Sequence, residues 1–461
     1  MVTKTKKYNK KRSFRRKTYK RGTNKIGTNK IGTNKIGTNK IGTNKIGTNK
    51  IGTNKGGKPI KSGSYGCVFK PVLKCDKNNF TELENGISKL MDEDSAKIEF
   101  DTILEVQRHI KSIPNNNDYF LVNDIKMCAP DKLSNEDLND FDTVCNDIVK
   151  YTGYDKNIIN NNLKHFKIIN MPYGGIDLNE FWKRLMDIPA KDKKKIFFAV
   201  NSILIQLLEK GIVPLNQTGF YHLDVKGGNI LVSDDIKYAR LIDWGVSQKL
   251  SENNIAPSKF IQEFQFNIPF TNILFNLNIN KWLQEEFTKM NIKNNKTITK
   301  MNIKSISLLT MKTIVKNIMD KAMKDRGEGH YMVIIYYIIV LYNADTVDDK
   351  LNQTESTNFA IDLICTYIAM ALMNYTDSNG VFQLKKYCAE VYLHNVDVWG
   401  FIMSYIQIII YAKEIKDAKK YKKEFIKAVS DIIINYCYNP KYAISPIPVD
   451  KVIDDLRKIK T

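Results

Sequence analysis

The sequence predicts an α+β fold, because it contains both strand-like runs and segments with helical periodicity. The strand-like runs occupy residues 119–125, 165–170, 229–232 and 238–242. Helical spacing of apolar residues appears in residues 94–109 and in residues 193–210. Gly211 follows the second of these stretches and is expected to end its helix. A chain of 461 residues with 43% apolar content can bury the core of a two-lobed enzyme or of two to three small domains.

Residues 1–58 differ from the rest of the chain in charge. They contain 19 Lys or Arg residues and no Asp or Glu, so they carry nearly all of the formal net charge of +22. Residues 22–55 are seven copies of Gly-Thr-Asn-Lys, the first six each followed by Ile. A five-residue period with Gly in every unit gives no apolar helical stripe and cannot stack a core. We therefore expect residues 1–58 to be a disordered basic tail.

Two interpretations of this tail remain open. The basic block of residues 4–21 favours binding to nucleic acid, to an acidic protein surface or to an anionic membrane, in each case by a salt-sensitive attraction. The repeat itself is also explained as a solvated spacer that arose by expansion of a short DNA repeat.

The seven cysteines predict no metal site and no disulfide framework. They stand at positions 67, 75, 128, 145, 365, 388 and 437, without a C-x-x-C pair and in odd number. We therefore expect reduced thiols in an intracellular protein. Neither a signal peptide nor a myristoylation glycine is present at the N-terminus, where residue 2 is Val.

Three apolar runs raise the question of membrane insertion. They lie near residues 331–342, 358–373 and 398–412, and each is shorter than the roughly 18 uninterrupted apolar residues that a membrane span requires. We expect them to be core helices, and we expect the chain to have no transmembrane segment.

The residues that could carry chemistry are concentrated in one short stretch. Residues 221–231 read YHLDVKGGNIL and residues 241–245 read LIDWG, which places two acids, a lysine and an asparagine within 20 positions. Phosphoryl transfer needs a carboxylate for the incoming hydroxyl, a cation for the phosphate, and a carboxylate with an amide for Mg²⁺. The turn signal at Asp234-Asp235 joins the two flanking strand-like runs into a hairpin that would direct both metal ligands to one point.

These motifs resemble those of the protein kinase family, whose catalytic loop reads H-R-D-x-x-x-x-N and whose metal motif reads D-F-G. Leu223 stands where the family has Arg, and Trp244 stands where it has Phe. The resemblance implies a two-lobed kinase fold with a small β-rich lobe at residues 59–174 and a larger, mainly helical lobe at residues 175–461. It also implies ATP and Mg²⁺ as cofactors.

The resemblance assigns a role to each motif residue. The catalytic residues are Asp224 and Lys226, the metal ligands are Asn229 and Asp243, and the structural residues are His222 and Gly245. The stretch from Ser62 to Lys70 is similar to a kinase glycine-rich loop, although Lys61 occupies the first glycine position and a plain hairpin turn explains the stretch as well. By this similarity the ATP-binding residues there are Gly63, Ser64, Gly66 and Val68.

The remaining nucleotide-binding positions also follow from the resemblance. Lys89 is assigned to the nonreacting phosphates, with Glu99 as its partner on the next helix and Glu105 as the alternative. Residues 168–178 resemble the last small-lobe strand and the hinge of a kinase. The hinge residues assigned to the adenine pocket are Met171, Pro172 and Gly174.

The chain also departs from the kinase pattern. No Ala-Pro-Glu motif follows Gly245, and residues 246–386 form an insertion in which the fold of residues 271–385 is not predicted. Residues 111–165 are expected to be a long loop insertion between two strands. Asp397 is assigned to bind the catalytic-loop backbone, with an ordinary helix N-cap as the rival interpretation. The composition and the insertion resemble divergent kinases of giant DNA viruses, which would place the protein in the host cytoplasm or the virion.

Three hypotheses for the function follow. The preferred one is a monomeric Ser/Thr protein kinase, since Lys226 two residues after Asp224 resembles the Ser/Thr class. The others are a small-molecule kinase of the aminoglycoside or choline type and a catalytically weak nucleotide-binding scaffold. Because Leu223 removes the arginine that an activation phosphate neutralises, we expect activity to survive replacement of Ser247, Ser251 and Ser258 by Ala.

Overall fold

The computed structural model describes residues 57–63, 66–76, 83, 85–251, 254–255, 263–293, 303–343, 353–414 and 420–459. The described residues belong to one compact unit, bounded at Lys55 and Thr461. The expected disordered tail lies outside the described residues up to position 56, and so do Ser64 and Ser258.

The first part of the unit is a five-stranded antiparallel sheet of strand order β1-β2-β3-β5-β4. Its strands are β1 (Lys58–Gly63), β2 (Gly66–Lys70), β3 (Gly86–Asp92), β4 (Lys126–Cys128) and β5 (Phe166–Pro172). Helix α1 (Glu93–His109) begins directly after β3, where the Asp92 carboxylate accepts a hydrogen bond from the Ser95 N–H at 3.0 Å and caps the helix.

Each face of this sheet buries a different partner, because successive side chains of a strand point to opposite faces. Leu90 and Ile168 pack with Phe141 and Ile148 of the segment that follows β4. Met91 and Ile169 pack with Ala96 of α1 on the other face. The short helices on the first face are α2 (Phe141–Val144) and α3 (Asn146–Thr152).

The segment at 111–165 differs from its expected form as a loop between two strands. Residues 119–125 do not form a continuous strand. Phe120 makes only a single parallel bridge to Leu241, whose carbonyl accepts the Leu121 N–H at 3.2 Å and whose N–H donates to the Tyr119 carbonyl at 2.8 Å. Much of the rest is ordered against the sheet by β4, α2 and α3.

Two disulfides hold this segment to the sheet, and the expectation of reduced thiols throughout is therefore wrong. Cys67 of β2 is bonded to Cys145, and Cys75 is bonded to Cys128 of β4. The paired cysteines are 78 and 53 positions apart in sequence, so only the folded chain brings them together. The other three cysteines are free and buried.

The second part of the unit is mainly helical. Its helices are α4 (Leu178–Asp187), α5 (Ala190–Gln206), α6 (Val213–Gln217), α7 (Ile279–Lys293), α8 (Leu308–Arg326), α9 (Tyr331–Tyr342), α10 (Gln353–Tyr375), α11 (Leu384–Tyr387), α12 (Leu393–Met403), α13 (Ile406–Glu414), α14 (Lys420–Tyr436) and α15 (Val449–Lys458). Its strands are β6 (Ile176–Asp177), β7 (Phe220–Tyr221), β8 (Ile230–Val232), β9 (Ala239–Leu241) and β10 (Gln248–Lys249). They form the ribbons β6-β8-β9 and β10-β7.

The helix expected to end at Gly211 continues past it. A π-helical turn at Leu207–Ile212 joins α5 to α6, and Gly211 is buried within that turn. A Cβ atom at position 211 would lie 2.8 Å from the Cβ of Tyr119. The glycine therefore allows close packing and does not end the helix.

Three helical stretches are long and apolar enough to cross a membrane by length and composition, namely Asp192–Gln217, Thr354–Tyr375 and Leu384–Ala412. The shares of their apolar windows that are buried in the folded unit are 56%, 50% and 83%. The expectation of no transmembrane segment is thus not supported. Thr354–Tyr375 lies within α10 alone, whereas the other two stretches each run through consecutive helices.

Candidate active site

The ribbon β8-β9 places the two expected metal ligands at its open end. Ile230 pairs with Leu241, and the Ile242 N–H donates to the Asn229 carbonyl at 3.0 Å. Asn229 immediately precedes β8, and Asp243 follows β9 by two residues. The hairpin geometry expected from residues 229–242 is therefore present.

Asp224 lies at the centre of a network that contacts both of its carboxylate oxygens. Its Oδ2 accepts from Lys226 Nζ at 2.7 Å and from Asn229 Nδ2 at 3.0 Å. Its Oδ1 accepts from Asn267 Nδ2 at 2.9 Å. These donors fix the orientation of the carboxylate, while 17% of the side chain stays exposed.

Asn267 is a site residue that the sequence does not reveal. It is fully buried, and its Nδ2 also donates to the Val225 carbonyl at 3.3 Å. Its Oδ1 is buried and has no hydrogen-bond partner among the described residues. No motif marks this position, which stands in the chain 43 residues after Asp224.

Asp397 supports the backbone at His222 and Leu223, directly before Asp224. Its two carboxylate oxygens accept the N–H groups of His222 and Leu223, both at 2.8 Å. Because Asp397 lies inside α12, the rival interpretation as a helix N-cap is wrong. Burial raises the pKa of Asp397, opposed by the nearby His222 charge and by these backbone donors. The carboxylate also holds Leu223 at φ +63°, a strained conformation for a bulky residue.

The buried ring of His222 joins the two motifs. Its Nε2 lies 3.0 Å from the Ile242 carbonyl oxygen, and its centroid lies 4.8 Å from that of Trp244. Trp244 fills a core position with 1% exposure, which accounts for an aromatic residue between Asp243 and Gly245. At Gly245 an added Cβ would meet only an ordinary contact, so packing does not explain that glycine.

Lys89 brings β3, α1 and the residue after β9 together. Its Nζ lies 2.7 and 2.9 Å from the two Glu99 oxygens and 3.2 Å from Asp243 Oδ1. The partner on α1 is thus Glu99 rather than the alternative, Glu105. Burial acts to lower the pKa of Lys89, but the two carboxylates raise it overall. Lys89 in turn lowers the pKa of Asp243, while burial raises the pKa of Glu99 against the pull of the same lysine.

The glycine-containing stretch forms the ribbon β1-β2, with Gly63 opposite Gly66. A Cβ at Gly66 would lie 2.9 Å from the Leu90 carbonyl oxygen, so the close approach of the strands requires glycine there. Val68 of β2 is paired with Lys89, which places both on neighbouring strands. Ser64 lies outside the part of the chain that the structure describes.

An unexpected ion pair connects this ribbon to the helical part. Lys61 Nζ of β1 lies 2.8 Å from Oδ2 of Asp177, whose other oxygen caps α4 by accepting the Glu180 N–H. Lys61 therefore does more than replace a glycine, since it links the two parts of the unit beside the expected nucleotide position.

The expected hinge residues follow one another at the end of β5. Met171 pairs with Ile87, and Pro172 pairs with Gly86. Gly174 lies against Leu231 of β8, which brings the hinge to the ribbon that carries the acidic residues. The contacts of Gly174 with Leu231 and of Lys89 with Asp243 join the five-stranded sheet to the β8-β9 ribbon, and this junction is called the cleft below.

The donor set at the cleft fits Mg²⁺. Asp243 supplies a carboxylate that is 43% exposed, and Asn229 supplies an amide oxygen. Mg²⁺ is commonly held by one or two protein oxygens together with substrate phosphates and water. In the described ranges no group of three His, Cys, Asp or Glu side chains forms a further metal site.

No protein-family model matches this chain, and no curated protein matches it. Among solved structures the chain is similar to the kinase PK-1 of the Cydia pomonella granulovirus. The two are 16% identical over 60% of this chain and 88% of that one, with a TM-score of 0.24. At that score the likeness carries no argument about the site.

Proposed function

We propose that this chain is an ATP-dependent kinase that transfers the γ-phosphoryl group of ATP to Ser or Thr hydroxyls of proteins. In this proposal the small lobe spans residues 59–174, the large lobe spans residues 175–461, and an insertion occupies about 246–386. The observation that carries it is the contact of Lys89 Nζ with both Glu99 and Asp243. A lysine so held is oriented toward phosphates beside the metal-binding acid.

The network around Asp224 supports the transfer step. Asp224 orients the incoming hydroxyl and accepts its proton, and Lys226 neutralises charge on the migrating phosphoryl group. Asn229 and Asp243 would hold Mg²⁺, which supplies charge neutralisation at the phosphates when bound. Asn267 and Asp397 act as positioning residues, since each fixes the catalytic loop through hydrogen bonds.

The nucleotide would lie under the β1-β2 ribbon. Gly63, Ser64, Gly66 and Val68 are proposed to cover the phosphates, and the hinge of Met171, Pro172 and Gly174 is proposed to hold the adenine. The protein is proposed to act as a monomer, in the host cytoplasm or virion if it is viral. The two disulfides remove the support that reduced thiols gave to an intracellular location.

Transfer of labelled phosphate by the purified protein tests the proposal. We expect Asp224→Asn to lower the rate about 10²–10⁴-fold, the range for loss of a general base. Asp234→Asn, an exposed acid in the β8-β9 turn, is the matched control and is expected to leave the rate unchanged.

Calorimetric binding of Mg²⁺-ATP separates catalysis from nucleotide binding. Binding without any transfer that depends on Asp224 would identify a nucleotide-binding scaffold and reject the kinase. Transfer to aminoglycosides or choline, with none to proteins, would identify a small-molecule kinase instead.

A further inference from the structure

The repeat in residues 22–55 presents the same hydroxyl in the same basic context seven times. Each threonine has a Lys three positions before it and another two positions after it. These threonines are Thr23, Thr28, Thr33, Thr38, Thr43, Thr48 and Thr53. None has an acidic residue nearby in sequence, because residues 1–58 contain no Asp or Glu.

Two exposed carboxylates, Glu263 and Glu328, belong to segments next to the Asp224 network. Glu263 is four residues before Asn267, which contacts the Asp224 carboxylate. Glu328 lies in the tight turn between α8 and α9, where a Cβ on Gly327 would come 3.1 Å from Glu263 Oε1.

This turn is fixed beside the reacting groups. The His330 N–H donates to the Phe264 carbonyl at 2.7 Å, and the His330 ring lies 5.4 Å from that of Phe266. The charges of Asp224, Lys226 and Glu263 all act on the His330 ring. The turn therefore holds exposed carboxylates in the neighbourhood of Asp224, the residue proposed to accept the hydroxyl proton.

We propose that this site phosphorylates the repeat threonines of its own chain, and this inference rests on the proposed kinase function. In each transfer the threonine Oγ forms a bond to the γ-phosphorus while the bond from that phosphorus to the β-γ bridging oxygen breaks. The hydroxyl proton passes to Asp224, and ADP leaves. The flanking lysines of each repeat lie against Glu263 and Glu328 by charge attraction.

The length of the tail allows most repeats to reach the site. The tail enters the fold at Lys58, five residues and so about 17 Å from the tip of the β1-β2 ribbon at Gly63. At a maximum of about 3.5 Å per residue, Thr53 can extend only about 17 Å from Lys58, whereas Thr23 can extend about 120 Å. A folded unit of this size has a radius of gyration of about 21 Å. Within one molecule we therefore expect modification of the distal repeats and little at Thr53.

Phosphorylation would offset most of the positive charge of the tail. Each phosphothreonine adds about −1.5 to −2 charges at neutral pH, so seven would add about −10 to −14. Residues 1–58 carry 19 basic side chains, most of which would be offset. Affinity of the tail for polyanions would then fall.

The first experiment incubates the full-length protein with Mg²⁺-ATP and maps the modified residues by mass spectrometry. We expect several phosphates on the repeat threonines, fewest at Thr53, and none in Asp224→Asn. Dilution distinguishes transfer within one molecule from transfer between two molecules, because the first-order rate of transfer within one molecule does not depend on protein concentration. A Ser/Thr peptide library serves as the external substrate.

A second experiment measures transfer to the synthetic peptide GTNKIGTNKIGTNK. We expect Glu263→Gln with Glu328→Gln to raise its KM about 3- to 10-fold, since two exposed ion pairs are lost, while the KM for ATP is unchanged. A peptide with Gln in place of each Lys is expected to bind equally weakly to both forms.

The outcomes separate the two proposals. Library phosphorylation without modification of the repeats, or modification confined to Ser13 and Thr18, overturns this inference and leaves the kinase function standing. An unchanged KM for the lysine peptide also overturns it. Absence of any transfer that depends on Asp224 overturns the kinase function itself.

Discussion

Two ion clusters in this molecule are built from the same residue types but differ in charge balance. At the cleft, one lysine, Lys89, forms ion pairs with two carboxylates, those of Glu99 and Asp243. Between α7 and α8, two lysines face two glutamates: Lys321 contacts Glu285 and Glu286 at 2.8 and 3.0 Å, and Lys289 contacts Glu286 at 2.9 Å.

The difference separates a site that can accept a cation from one that only holds helices together. The cleft cluster has one carboxylate in excess, and its Asp243 is 43% exposed. In the α7-α8 cluster the buried Glu286 is satisfied by Lys289, Lys321 and the Asn317 amide. Burial acts to raise the pKa of Glu286, but these three donors lower it to about 2.

The largest expected effect comes from removing the excess charge at the cleft. We expect Asp243→Asn to reduce phosphoryl transfer by at least about 10³-fold, because the metal loses its carboxylate. Folding stability is expected to change little, since Lys89 keeps Glu99 as its partner. Initial rates and thermal melts measured on the same preparation check both statements, and a collapse of the melting temperature would show that this cluster is structural.

Substitution of Asn267 tests whether the uncharged hydrogen bond to Asp224 also contributes to activity. We expect Asn267→Ala to lower kcat about 10- to 100-fold with little change in the KM for ATP, because Asp224 loses the donor on its Oδ1. Asn267→Asp places a second carboxylate beside Asp224. Like-charge repulsion would then move the acid limb of the pH–rate profile to higher pH. A profile that does not move would limit Asn267 to packing.

The α7-α8 cluster is expected to show the opposite behaviour. Glu286→Gln should destabilise the fold by about 1–3 kcal/mol near neutral pH and leave the activity of the folded protein unchanged. Because the folded-state pKa of about 2 is below the ordinary 4.5, this contribution is present above about pH 5 and is lost as the pH falls toward 2. Urea unfolding at several pH values measures it. Equal stability of the two proteins at neutral pH would contradict the assignment.

The smallest effects are expected after β9. Ser251 is exposed, and Ser251→Ala is expected to leave activity and stability unchanged. Ser247 differs, since it is buried and its Oγ donates to the His222 carbonyl at 3.0 Å. Ser247→Ala is therefore expected to cost about 1 kcal/mol of stability with activity largely intact. A large loss of activity in either variant would indicate that a phosphate on this segment is required.

Sequence reasoning succeeded where function depends on residues close together in the chain. The hairpin at 229–242 follows from its strand-like runs and turn chemistry, whereas the roles assigned to Asn229 and Asp243 at its end follow from the kinase resemblance. Asn267, the Lys61–Asp177 pair and both disulfides join residues 43 to 116 positions apart, and no local pattern encodes such contacts. The apolar runs at 331–342 and 358–373 predicted two helices of the insertion, where α9 and α10 lie, but apolar runs alone do not define how such helices pack.

The Cys67–Cys145 bond follows directly on Gly66, so the ribbon proposed to cover the phosphates is covalently attached to the segment that carries α2 and α3. Ser62 of the same ribbon also donates to the Asp147 carboxylate at 3.0 Å. A thiol reductant in a purification buffer would thus yield a protein in which this covalent link between the ribbon and the α2-α3 segment is broken. Nucleotide titrations of this chain are comparable between preparations only when the thiol content of each sample has been counted.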